Sequence, residues 1–62
     1  MKKYLVREQN DSLMKNKTAL VFAKNNLDAK KKFQKYFSLL NISELSSVLV
    51  VGFNNGNFIE IL

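Results

Sequence analysis

Sixty-two residues, ten of them Lys or Arg and five Asp or Glu, carry a net charge of +5 and include neither Cys nor His. A chain this short makes one domain, residues 1–62, around one small core that buries only about 60% of the surface exposed on unfolding. Without thiols or imidazoles, disulfides and the usual transition-metal staples are excluded, which leaves oligomerisation as the common remaining way to stabilise a small scaffold.

In chain order, residues 3 to 8 read as a first strand, with Tyr4 and Val6 on one side and Leu5 between Lys3 and Arg7 on the other. Residues 9 to 16 are polar and turn-forming and read as a loop. A second strand spans 17 to 24 and is apolar at both parities, Leu20 and Phe22 opposing Ala19, Val21 and Ala23. Asn25 then provides an N-cap, and Asp28 three residues on places a carboxylate in the positive first turn of a helix. Ala29, Phe33, Tyr36, Phe37 and Leu40 recur at i, i+4, i+7, i+8 and i+11, which is one helix face, and the pattern stops near Asn41. Residues 42 to 47 have room for one more helical turn capped by Ser43.

The last segment, Val48 to Leu62, reads as a β-hairpin, because Asn55-Gly56 suits a two-residue type I′ turn with positive φ at both centres. That register opposes Phe53 to Phe58, Val51 to Glu60 and Val50 to Ile61. One face then carries Val48, Val50, Gly52, Ile59 and Ile61, and the other Leu49, Val51, Phe53, Phe58, Glu60 and Leu62. The expected fold is therefore a two-layer α+β domain of order ββαββ, an antiparallel four-stranded sheet with two hairpins side by side and the amphipathic helix on one face.

One helix covers one sheet face. The Val48, Val50, Ile59 and Ile61 face suits it best, since Gly52 permits close approach. This leaves Leu49, Val51, Phe53, Phe58 and Leu62 around a lone Glu60 as the expected contact face for another protein or a second copy of the chain. In the competing arrangement the 9–16 loop, through Leu13 and Met14, or residues 42 to 47 fold over that face and complete a monomer core. A second candidate surface is the basic helix face, Lys30, Lys31, Lys32 and Lys35. Asp28 supports Lys32 at i+4, but the other three have no acid four positions away and oppose the helix dipole, so an anionic partner, nucleic acid included, would suit them.

Catalysis finds little to work with. The residues that serve as ready base and nucleophile near neutral pH are missing, and Glu8, Asp11, Asp28, Glu44 and Glu60 have no spacing that forces two of them together. Ser43, Ser46 and Ser47 read as cap and turn residues, and the Gly52 to Gly56 stretch lacks the Lys of a phosphate-binding loop. No cofactor, metal, small-molecule substrate or membrane association is expected: the apolar run after Lys2-Lys3 is only Tyr4-Leu5-Val6, too short for a signal-peptide core or a span. The sequence thus reads as a non-enzymatic, cytoplasmic interaction module. Its richness in Lys, Asn and Phe fits AT-rich coding, which suits a phage or mobile-element inhibitor of a host defence or replication protein; the alternative is a nucleic-acid-binding regulator using the basic helix.

Overall fold

The computed structural model describes residues 1–8, 17–38, 45–52 and 56–62. It contains β1 (Lys2–Glu8), β2 (Thr18–Ala23), α1 (Asn26–Phe37), β3 (Leu45–Val50) and β4 (Ile59–Ile61). The four strands form one sheet in the order β3-β1-β2-β4, with α1 packed against it. The class is α+β with one helix on a four-stranded sheet.

The sheet is mixed rather than purely antiparallel. β1 pairs antiparallel with β2 and β3, while β4 runs parallel to β2. Only β1 and β2 lie side by side as consecutive strands, joined across Glu8 N–H to the Lys17 carbonyl at 2.9 Å. The Val48 to Leu62 hairpin does not form: β3 and β4 occupy opposite edges, three strand spacings or about 14 Å apart. The reason lies in β2, whose Ala19, Leu20, Val21 and Ala23 are all fully buried. A strand apolar on both faces belongs inside a sheet with a neighbour on each side, and β1 and β4 supply those neighbours.

Register sorts the side chains into two faces. Toward α1 run the rows Leu49-Tyr4-Val21-Ile61 and Ser47-Val6-Ala19-Ile59. Tyr4, Val6, Ala19, Val21, Ala23, Leu45 and Ile61 pack there with Ala29 and Phe33 of the helix, and Phe37 rests against this cluster. Away from α1 run Val48-Leu5-Leu20-Glu60 and Val50-Lys3-Phe22. Of the strand residues expected beneath the helix, Ile61 is therefore in the core and Ile59 lies on the same side but exposed, whereas Val48 and Val50 stand on the opposite face, and Leu49 takes the helix side. The opposite face is also not bare at its centre. Leu20 is fully buried there, with Leu5 and Phe22 beside it half-buried.

The helix starts where its cap residues direct. The Asn25 side-chain oxygen accepts from the Asp28 N–H at 2.7 Å, and the Asp28 carboxylate accepts from the Lys24 N–H at 3.4 Å, so two donors of the first turn and its approach are satisfied. It ends at Phe37, earlier than the apolar spacing suggests, because Ser38 turns left-handed at φ 56 and ψ 42 and sends its N–H back to the Gln34 and Lys35 carbonyls. Leu40, Asn41, the loop 9–16 and Asn55 lie outside the described residues, as do residues 42–44 of the extra helical turn expected over 42–47; Leu45, Ser46 and Ser47 of that stretch are strand instead, paired with Glu8, Arg7 and Val6.

Candidate functional site: a free sheet edge and a dispersed set of lysines

The sheet has two edges, and they are built differently. β4 is three residues long and carries Glu60 at its middle, exposed. Short length and a charge are two ways in which an edge is kept from pairing with another chain. β3 has six residues, Leu45-Ser-Ser-Val-Leu-Val50, and no charge, and the sequence stays free of charged residues from Leu45 through Ile59. Val48 and Leu49 are 56% and 47% exposed, and Val51, just past the strand, is 89% exposed. Gly52 follows at φ +65, a conformation that glycine adopts without strain, and the chain leaves the sheet there with Val51 open to solvent.

The inner edge of β3 is hydrogen-bonded to β1 from Leu45↔Glu8 to Val50↔Lys3. A second tie comes from the Ser47 hydroxyl, which donates to the Asn26 side-chain oxygen of α1 at 2.8 Å and holds the strand against the start of the helix. Beyond these, β3 forms no hydrogen bond or ion pair with the other described residues. Among the described residues its outer row of N–H and C=O groups meets no neighbouring strand, and a row of that kind can accept one more strand.

The contact face expected from the hairpin register is not brought together. Leu49 and Val51 belong to the β3 edge, while Phe58, Glu60 and Leu62 belong to the β4 edge across the sheet; Phe53 lies outside the described residues. On the β4 side Ile61 and Leu62 instead line an open groove of about 440 Å³ with Lys32, Lys35 and Tyr36 of the helix. Tyr36 is stacked edge-on against Phe37, with ring centroids 4.9 Å apart.

Nor do the four lysines form one patch. At 100° per residue Lys30 and Lys32 point about 200° apart around the helix. Lys32 turns down toward the sheet, donating to the Phe22 carbonyl at 2.8 Å and lying 3.9 Å from the Asp28 carboxylate. That carbonyl sits one residue past the last β2–β4 pair, Val21↔Ile61, so Lys32 closes the ladder where β4 runs out. Lys31 and Lys35 are exposed and Lys30 half-buried, and none of the three makes an ion pair among the described residues.

Among the described residues no three His, Cys, Asp or Glu side chains come together as a metal site, and no helix is long and apolar enough to cross a membrane. The β3 edge, unpaired among the described residues, has one signal in the sequence, a long stretch without a charged residue; a hairpin through Asn55-Gly56 conceals it by pairing β3 with β4. No family model, curated protein or solved structure matches this chain.

Proposed function

We propose that this chain is a non-enzymatic protein-interaction module that engages its partner by adding an extended segment of that partner to the outer edge of β3. The observation that carries this reading is the contrast between the two sheet edges. β4 is short and charged, whereas β3 is six residues long and uncharged, with Val48 and Leu49 exposed along it and Val51 exposed just past its end. Main-chain hydrogen bonds supply affinity in such pairing, and the alternating side chains supply selectivity. A molecule equipped in this way acts by occupying a surface, as an inhibitor of another macromolecule does.

Capture from a bacterial lysate tests the reading. Proteins retained by the immobilised parent are expected to be lost with Val48→Lys, which places a charge on the edge, and kept when Lys30, Lys31 and Lys35 are all replaced by Gln. Circular dichroism checks that each variant is folded. Capture that survives Val48→Lys and Leu49→Lys but disappears with the Gln variant would move the function to the helix.

A further inference from the structure

We infer that the groove between α1 and the end of β4 binds a small carboxylate with an apolar body, the acid group held by Lys35 and the body laid against Leu62 and the Tyr36 ring. The inference goes beyond strand addition, since this groove lies at the sheet edge opposite β3. Its walls are made wholly of described residues. Lys32, Lys35 and Tyr36 stand at i, i+3 and i+4, which makes them neighbours on one helix face, and Ile61 and Leu62 complete the lining around about 440 Å³. A space of that size falls within the ~300–1,000 Å³ of small-molecule sites, and an apolar lining with a few convergent polar groups is their usual build.

Charge decides what enters. No carboxylate side chain lines the groove: Glu60 stands on the sheet face away from α1, and Asp28 already accepts from the Lys24 N–H and lies 3.9 Å from Lys32. Lys32 is committed in turn, donating to the Phe22 carbonyl at 2.8 Å. Lys35 is exposed and makes no hydrogen bond or ion pair among the described residues, and Tyr36, also exposed, brings a phenolic hydroxyl to the same lining. One uncommitted ammonium and one hydroxyl match the single charge and the lone pairs of a carboxylate. A phosphate dianion would ask for more donors. The groove has no Arg, and the N–H groups of Lys35 and Tyr36 lie in the last turn of α1, where they are bonded within the helix. The apolar body is needed because Leu62 is 84% exposed, and covering it removes from water a surface that acetate or chloride would leave wet.

Titration of the isotope-labelled full chain with octanoate at constant ionic strength, followed by amide shifts in NMR, tests this. Shifts are expected to cluster at Lys35, Tyr36, Ile61 and Leu62, with a dissociation constant of about 0.1–1 mM, the range of a small ligand in an open groove. Lys35→Gln should weaken octanoate at least fivefold and Leu62→Ser about threefold, while Lys31→Gln changes it less than about 1.5-fold. The dispersion of each variant's spectrum checks that it is folded. Octanol, which has the body without the charge, and acetate, which has the charge without the body, should leave these amides unmoved at about 1 mM. Absence of saturable shifts up to about 10 mM octanoate, or Lys35→Gln binding as the parent does, would overturn the inference. So would acetate moving the same amides as strongly as octanoate, which would mean an adventitious ion only. A short peptide ending in a free Leu carboxylate that binds where octanoate does not would give the groove to a chain terminus of a partner instead. None of these readouts involves β3, so octanoate binding and lysate capture through that edge stand or fall separately.

Discussion

Lys32 shows how one side chain changes meaning once its surroundings are known. By sequence it is one of four lysines in a basic helix; in the fold its Nζ donates to the Phe22 carbonyl at 2.8 Å and also faces Asp28. A hydrogen bond to a charged donor contributes about 1.5–3 kcal/mol, and removing the donor leaves a part-buried carbonyl without its partner. Lys32→Met keeps the aliphatic stem and deletes only the charge and its bonds. It is expected to destabilise the domain by about 1–2 kcal/mol, while Lys31→Met, on the exposed helix surface, should stay within about 0.5 kcal/mol of the parent. For a domain of this size, each kcal/mol moves the thermal midpoint by about 4–8 °C, so melting curves followed by circular dichroism separate the two. Equal midpoints for both variants would return Lys32 to the solvated face. Ser47 makes a similar point, since a residue that reads as turn chemistry instead ties β3 to the helix start through Asn26.

At the scale of elements, local signals placed α1 and the first two strands well. Asn25, Asp28 and the Ala29, Phe33, Phe37 spacing are written within a dozen residues, and their physics is local: caps satisfy the first turn, and one face packs. The last two strands were legible as strands but not as partners. Pairing is a contest between a turn that costs little entropy and a sheet that must bury both faces of β2, and only the second depends on residues some forty positions away. Asn55-Gly56 argues for the short connection, yet Ile59 and Ile61 lie along Ala19 and Val21. The expected contact face is divided for the same reason, since Leu49 lies in β3 and Glu60 in β4, at opposite edges of the sheet. Cysteine pairs check the outcome directly in this cysteine-free chain. Ala19→Cys with Ile59→Cys joins paired neighbours, within the ~4.4–6.8 Å Cα span of a disulfide, and should oxidise intramolecularly. Val50→Cys with Ile61→Cys, opposed in the hairpin, should remain reduced at low protein concentration. The reverse pattern by mass spectrometry would restore the hairpin.

For the whole molecule, the net charge of +5 and the uncharged β3 strand predict different responses to salt. A partner segment added to the outer edge of β3 meets no charge on that strand, so capture through the edge should change less than about threefold between 0.01 and 0.15 M NaCl. The helix lysines predict a steep fall. An anionic partner held by Lys30, Lys31 and Lys35 would be released as salt rises, because each neutralised phosphate frees a counterion that salt then returns. Lysate capture at three salt concentrations, beside the binding of a short single-stranded oligonucleotide at the same concentrations, reads both. Capture that falls steeply with salt in step with oligonucleotide binding would mean that the lysines rather than the uncharged edge hold the partner.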